Sequence, residues 1–463
     1  MAVFPRAVAL VVVLGLAVAA CTDRAGADRP EGTPVGLGPP AGAVTRTPGE
    51  PATIASLRGD RRGTTWSGTQ RIAFTNVGTT PMPRIWLRLW SNGPDGCQPL
   101  AIRIQVRAGG ALGAARRACT AYPVDLAQPL AAGERTAVEL SLRIRVPERN
   151  DRFGAHGGVS LLGGALPVLA VKDDAGWHLD PYVDLGEAFY SITGTYRVTL
   201  NVPDALDTAA TGQIVRRVAH GRREARTYRA EDVRDFAFAG ATFVHLRSLA
   251  NGTDVHVWFR PSLVSRQKAE RVLRNAVTSM EVFDEAFGAY PYPEVDLVVS
   301  AFDTFGGMEY PQIVFTNPDR YTVAHELAHQ WWWGIVGDDE FAEPWLDESL
   351  ATWSMYLPYS AWRDCDGFRW PSAGARLDNG MDYWRDHMDE YLTIYTGGGC
   401  MLAQLASRFG LARFQDLMRA YAASRWLDVA RTHDFTAVIE EAAAEVPGFD
   451  VAAFWEHWRL DPA

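Results

Sequence analysis

From residue 53 to about residue 250, apolar and polar positions follow the spacing of β-strands. The stretches 85–90, 137–144 and 196–202 alternate or run apolar, and they are rich in branched and aromatic side chains. A turn cluster at residues 91–94 follows the first of them, and long helical patterns are absent. The pattern predicts an N-terminal β-sandwich-like domain over residues 53–255.

The second half of the chain has mainly helical patterns. Residues 263–287 carry apolar side chains at helical spacing, and Gly288 is placed to end that helix. A Tyr-Pro-Tyr-Pro turn at 290–293 then leads into a predicted strand at 295–300. We therefore expect a mainly helical second domain over residues 256–463 and an α+β chain.

The first residues have the composition of a bacterial export signal. Arg6 precedes an apolar run over residues 7–20, which suits a signal peptide and is too short to span a bilayer. The run ends Val-Ala-Ala-Cys, which is typical of a lipoprotein cleavage site with Cys21 as the acylated residue. The alternative is an ordinary secretory signal cut nearby. We expect a signal peptide over 1–20, a flexible tether over 21–52 rich in Gly, Pro and Thr, and an exported chain anchored by lipid to the outer face of the cell membrane.

Composition narrows the class of protein further. The chain has 463 residues, of which 47% are hydrophobic, so it is long enough to build a large core and two domains. Its formal net charge of −10 argues against a nucleic-acid partner.

Four cysteines remain besides Cys21, and an even number in an oxidising compartment predicts disulfides. Three pairings exist in principle. Proximity along the chain favours two local pairs, Cys97 with Cys119 and Cys365 with Cys400.

The strongest chemical motif is His325-Glu326-Leu327-Ala328-His329. Two histidines four residues apart on a helix lie on one face, so both imidazoles can bind one metal ion. Glu326 follows the first histidine and can act as the general base toward a water held there. Eighteen residues separate His329 from Glu348, which would complete a His, His, Glu ligand set with an open fourth position.

Two helices should carry these residues. Asn317 and Pro318 predict the N-cap and first turn of the histidine-bearing helix, and Gly337 predicts its end. Pro344 predicts the start of a second helix that carries the glutamate and stops before Pro358.

Together with Gly306-Gly307-Met308-Glu309 upstream, this ordered set resembles the gluzincin aminopeptidases, the family of aminopeptidase N and leukotriene hydrolase. The resemblance is strong over residues 288–350 and weaker over most of 180–460. It implies a thermolysin-like catalytic domain that holds one zinc ion per chain. It also implies that Glu309 pairs with the α-ammonium of a peptide substrate, while the backbone around Gly306, Gly307 and Met308 pairs with its main chain.

The resemblance further implies a tyrosine that stabilises the oxyanion with the metal. Tyr395, which heads a glycine-rich turn before a helix predicted at 400–408, is the best match; Tyr391 and Tyr383 are the competitors. Departures from the family pattern occur nearby. Gly397 replaces the usual lysine, Tyr310 replaces an asparagine, and Met355 stands where a carboxylate often orients a ligand histidine, so another group must orient it.

These observations lead to one functional hypothesis and two alternatives. We expect an exported zinc aminopeptidase that acts on peptides, with Glu326 as base and Tyr395 as oxyanion donor. The first alternative is a zinc endopeptidase with an open cleft. The second is a non-catalytic lipoprotein that binds at the cell surface.

Overall fold

The computed structural model describes residues 44–186, 188–361 and 365–462. The predicted signal peptide, Cys21 and most of the predicted tether lie outside the described residues. Among the described residues, no helix has both the length and the apolar character needed to cross a bilayer.

Strands build the N-terminal part of the described chain. In order they are β1 (Gly49–Gly59), β2 (Thr65–Thr75), β3 (Met82–Arg88), β4 (Ile102–Ala108), β5 (Gly110–Leu112), β6 (Ala121–Leu130), β7 (Arg135–Arg145), β8 (Phe153–His156), β9 (Val159–Leu162), β10 (Val168–Leu169), β11 (Lys172–Asp173), β12 (Gly176–Trp177), β13 (Gly194–Pro203), β14 (Asp207–Ala210), β15 (Gln213–His220), β16 (Arg223–Val233) and β17 (Phe238–Ala241). A 3-10 turn, Trp90–Asn92, follows β3.

These strands form three larger sheets and one hairpin. The largest sheet has the order β15-β16-β13-β1-β2-β7-β4, and two four-stranded sheets have the orders β10-β3-β6-β5 and β14-β17-β9-β8. Strands β11 and β12 pair with each other. The three stretches predicted as strands correspond to β3, β7 and β13. In β7, Val138, Leu140, Leu142 and Ile144 are all buried, because alternate side chains point into the core.

One boundary of the predicted tether is wrong. Strand β1 begins at Gly49, and it runs parallel to β13 and antiparallel to β2. Residues 49–52 therefore belong to the largest sheet. The composition of this segment could not reveal this, because its parallel partner lies more than a hundred residues away along the chain.

A mixed five-stranded sheet starts the second part. It contains β18 (Val244–Ala250), β19 (Thr253–Phe259), β20 (Glu294–Val299), β21 (Gly307–Met308) and β22 (Ile313–Thr316), in the order β18-β19-β20-β22-β21. Strand β19 pairs with β18 on one side and β20 on the other. The boundary predicted between residues 255 and 256 thus cuts through β19, a strand of this sheet.

Helices make up most of the rest. They are α1 (Arg266–Phe287), α2 (Arg320–Ala328), α3 (Trp345–Ser354), α4 (Met381–Trp384), α5 (Thr393–Phe409), α6 (Leu411–Ser424), α7 (Thr432–Ala443) and α8 (Val451–Trp458), with a 3-10 turn at Leu357–Tyr359. Helix α1 begins slightly later than predicted, because the Ser265 side chain caps it by accepting from the Lys268 amide. The chain is thus an α+β protein with a β-rich part followed by a mainly helical part.

Both local cysteine pairs that the sequence favours are disulfides in this structure. Cys97 is bonded to Cys119, and Cys365 is bonded to Cys400. The first pair lies in the β-rich part. The second ties helix α5 to the segment that follows α3.

A half-buried histidine, His178, links the two parts of the chain. His178 Nε2 lies 2.9 Å from an Asp173 carboxylate oxygen, and its Nδ1 lies 3.1 Å from Asp339 Oδ2, in the segment between α2 and α3. Burial disfavours the charged imidazole, but Asp339 and Asp173 outweigh that effect and raise the pKa of His178 to about 9. His178 is therefore a cation at neutral pH, held between two carboxylates.

Candidate metal and active site

Helix α2 carries both motif histidines, and its ends differ from those predicted. The Asp319 side chain caps the helix by accepting from the Tyr321 and Thr322 amides, so Asn317 is not the N-cap. Asn317 instead binds the preceding loop, accepting from the Phe302 amide and donating to the Phe302 carbonyl. Asp319, two residues further on, was therefore the better sequence signal for the start of the helix.

The same helix ends at Ala328 rather than near Gly337. The amides of Gln330 and Trp331 bond to carbonyls three residues earlier, which tightens the last turn. The chain then turns at Trp333, whose φ of 115° is outside the helical region. Nothing in the local pattern marks this turn.

Three side-chain atoms converge between α2 and α3. His325 Nε2 lies 3.1 Å from Glu348 Oε2 and 3.2 Å from His329 Nε2. His329 Nε2 lies 3.4 Å from the same carboxylate oxygen. Ligands at ordinary zinc distances in a tetrahedral site are about 3.3 Å apart, so one zinc ion fits this triangle with its fourth position open.

Helix α3 begins after Pro344, as predicted, and it places Glu348 in its first turns. Glu348 is buried. Burial disfavours its charged form, but the adjacent His325 and His329 rings more than offset this and lower the pKa of the carboxyl well below its usual range. Glu348 is therefore anionic, which suits a metal ligand.

A backbone carbonyl orients one of the histidines. His329 Nδ1 lies 3.0 Å from the Trp332 carbonyl oxygen, so the ring donates there and leaves Nε2 with a lone pair for a metal. The nearest carboxylate oxygen to Nδ1 is that of Asp347, at 4.0 Å. The Trp332 carbonyl thus orients His329, a role for which Met355 has no suitable side-chain group. Sequence reasoning missed it, because a carbonyl acceptor has no residue signature.

The Gly-Gly-Met-Glu segment lies against the general-base candidate. Strand β21 is the outermost strand of its sheet, and a Cβ on Gly307 would be 2.4 Å from Glu326 Cδ. Only glycine allows the strand to approach the buried Glu326 so closely. Gly306 similarly faces Thr322 of α2, and the Met308 side chain is fully buried.

Glu309 lies in the same region and is also buried. One ligand atom from each of Glu309, His329 and Asp347 lies within 4.8 Å of the others. The structure therefore brings Glu309 close to His329, one of the three triangle residues. Sequence reasoning did not single out Asp347, although its position next to Glu348 was a usable signal.

Tyr395 contacts a metal-ligand candidate. Its hydroxyl donates to Glu348 Oε1 at 2.5 Å, and its ring lies over that of His325 with 5.9 Å between centroids. The hydroxyls of the two competitors have other neighbours. Tyr383 donates to Glu390 at 2.9 Å, and the Tyr391 hydroxyl packs against Gly186.

The predicted glycine-rich turn after Tyr395 is wrong, because helix α5 already begins at Thr393 and includes residues 397–399. The glycines serve helix packing. A Cβ on Gly398 would be 1.8 Å from Ser349 Oγ of α3, so the two helices can approach closely only with glycine there. The Ser349 hydroxyl then donates to the Ile394 carbonyl at 2.7 Å. This close contact is what places Tyr395 against Glu348.

Part of this chain is similar in sequence to known aminopeptidases. The chain is 27% identical over 297 residues to aminopeptidase M1-B of Oryza sativa, covering 56% of this chain and 34% of that protein. It is 25% identical over 241 residues to aminopeptidase N of Streptomyces lividans, covering 44% of this chain and 27% of that protein. The chain is a relative of the M1 aminopeptidases. No protein-family model matches it, and the match spans about a third or less of these relatives.

Solved structures show the same fold over most of the chain. An M1 zinc metallopeptidase from Deinococcus radiodurans superposes with a TM-score of 0.63 at 16% identity, covering 89% of this chain and 93% of that one. A mutant of that protein has been solved bound to a Tyr-Ser-Ala substrate, with a TM-score of 0.65 and 16% identity. The chain therefore has the two-domain M1 zinc metallopeptidase fold.

Proposed function

We propose that this protein is a zinc aminopeptidase that removes residues from the N-termini of peptides. The observation that carries the proposal is the triangle of His325 Nε2, His329 Nε2 and Glu348 Oε2, with sides of 3.1 to 3.4 Å. Its relatives named aminopeptidase N and M1, and the Deinococcus enzyme solved with a tripeptide, support the same activity.

The three triangle residues would hold one zinc ion per chain. Bound zinc lowers the pKa of its water to about 7 and polarises the substrate carbonyl. Glu326, packed under Gly307, would accept the proton of the attacking water and pass it to the leaving amine. The Tyr395 hydroxyl, which donates to Glu348, would turn to donate to the developing oxyanion.

Glu309 would give the preference for chain ends. A carboxylate close to the metal-ligand candidate His329 could pair with a free α-ammonium, which would place the first peptide bond at the reacting centre. The outer edge of β21 would bind the substrate main chain by strand addition, since β21 is the outermost strand of its sheet.

Hydrolysis of aminoacyl chromophores, measured with and without a chelator, tests the proposal. We expect release that the chelator abolishes and added zinc restores. Peptides with a free N-terminus should be cleaved and their N-acetylated forms should not. Cleavage of acetylated peptides at internal bonds would favour the zinc endopeptidase. Zinc binding without any release would favour the non-catalytic lipoprotein.

We also propose that the protein is exported and anchored by lipid at Cys21. The export signal before Cys21 motivates this, and the two disulfides are consistent with an oxidising compartment. Labelled fatty acid should be incorporated into the expressed wild-type protein and not into Cys21→Ser. Equal labelling of the two proteins would refute the anchor.

A further inference from the structure

Arg234 is a buried cation between the β-rich and helical parts of the chain. It lies between β16 and β17, and its side chain is fully buried. Its guanidinium donates to four backbone carbonyls, those of Ser191, Trp333, Ile335 and Asp428. Burial lowers the pKa of Arg234 to about 10, so it stays charged at neutral pH.

Two of those carbonyls belong to the turn that follows α2. Arg234 Nε donates to the Trp333 carbonyl at 2.7 Å, and Nη2 donates to the Ile335 carbonyl at 3.2 Å. The Trp333 backbone has a φ of 115°, which a bulky residue rarely adopts without being held there. Arg234 binds the carbonyl of that strained residue.

The neighbouring peptide group is the one that faces the metal site. The Trp332 carbonyl accepts from His329 Nδ1 at 3.0 Å, and the same peptide group donates through the Trp333 amide to the Val336 carbonyl at 2.7 Å. The direction of the Trp332 carbonyl therefore depends on the conformation of the turn, and Arg234 holds the next peptide group of that turn.

We propose that Arg234 is a positioning residue of the metal site. It fixes the turn over residues 331–337 so that the Trp332 carbonyl keeps His329 Nε2 directed at the metal. Losing the hydrogen-bond partner of a ligand histidine typically weakens metal affinity about 10- to 100-fold, and we expect an effect of that order when the turn that carries the Trp332 carbonyl is released. The inference rests on the proposed function only in taking His325, His329 and Glu348 as the zinc ligands.

Arg46 provides a matched control. It is also largely buried and also joins the two parts of the chain, donating to Asp428, to the Val429 carbonyl and to the Tyr190 hydroxyl. Its hydrogen bonds go to Tyr190 and to residues 428 and 429, whose segment bonds to Gly337 at the far end of the turn. Loss of Arg46 therefore disturbs the same boundary, but it removes no hydrogen bond to the Trp332 or Trp333 carbonyl.

The experiment measures zinc affinity of the metal-free full-length protein by competition with a chromophoric chelator. Arg234→Lys keeps the charge, but an ammonium cannot reproduce the planar set of donors. We expect zinc affinity to fall about 10- to 100-fold in Arg234→Lys, and at least as far in Arg234→Met. Arg46→Met should stay within about threefold of wild type.

Three results would overturn the proposal. The first is a folded Arg234→Lys protein that binds zinc as tightly as wild type. The second is an equal loss of zinc affinity in Arg46→Met. That result would show that the loss comes from weaker packing between the β-rich and helical parts. The third is failure of both Arg234 variants to fold where Arg46→Met folds, because Arg234 would then serve the fold. Wild-type protein that binds zinc without hydrolysing peptides would refute the function alone.

Discussion

The Tyr395→Phe variant separates two roles for one hydroxyl. Tyr395 donates to Glu348 Oε1 at 2.5 Å, and a hydrogen bond to a charged acceptor contributes about 1.5–3 kcal/mol. If the hydroxyl only held Glu348 in place, its loss would weaken zinc binding about 10- to 100-fold. If it donates to the oxyanion, its loss would remove about 2.7–4 kcal/mol of transition-state stabilisation, which is about a 100- to 1000-fold fall in kcat.

We expect the second result, because Glu348 is also fixed by His325 and His329 and does not depend on Tyr395 alone. The assay is steady-state hydrolysis of an aminoacyl chromophore at saturating zinc, with zinc affinity measured separately. In Tyr395→Phe, kcat should fall about 100- to 1000-fold while KM changes little.

Tyr391→Phe is the matched control. The Tyr391 ring lies next to that of Tyr395, with 5.7 Å between centroids, and its hydroxyl packs against Gly186. We expect Tyr391→Phe to keep wild-type kcat. A Tyr395→Phe protein that retains kcat within about threefold, or regains it when zinc is added, would refute the oxyanion role.

Three further predictions concern the base, the amine site and the junction between the two parts. Glu326→Gln should keep zinc affinity and lose about 100- to 10,000-fold in kcat, and turnover near wild type would remove Glu326 as the base. Glu309→Ala should lower kcat/KM roughly 100-fold on free peptides by leaving the substrate amine unpaired, and unchanged kinetics would refute that pairing. His178→Gln should lower the free energy of unfolding. The pKa of His178 is about 9 in the folded chain against an ordinary value of about 6.5, so its contribution is complete below about pH 6.5 and is lost as the pH rises through about 9. Denaturant unfolding of variant and wild type at pH 6 and pH 10 measures this, and an equal difference at both pH values would contradict it.

Secondary structure was predictable where one local pattern dominated. Strand β7 alternates buried and exposed positions along its length, and α1 has a continuous apolar stripe, so both were found to within a few residues. The errors in the predicted boundaries occur where a strand is defined by pairing with another strand far away along the chain. Strand β1 starts inside the predicted tether because β13 pairs with it, and β19 crosses the predicted domain boundary because β20 pairs with it.

The same division applies to the site. Motif spacing was enough to name His325, His329 and Glu348 as candidate ligands. Helix geometry places the two histidines on one face, and α3 then brings Glu348 next to them. The glycines after Tyr395 were misread as a turn. Their helical role depends on Ser349 of a different helix, which no local pattern contains.

The sequence by itself determined the candidate metal ligands, the candidate base beside them and the general order of strands and helices, because each depends on spacing within one segment. Only the tertiary structure decided what surrounds them. The carbonyl that orients His329, the hydroxyl on Glu348 and the guanidinium of Arg234 come from separate segments, and hydrogen bonds between distant segments form only when packing brings their atoms within about 3 Å.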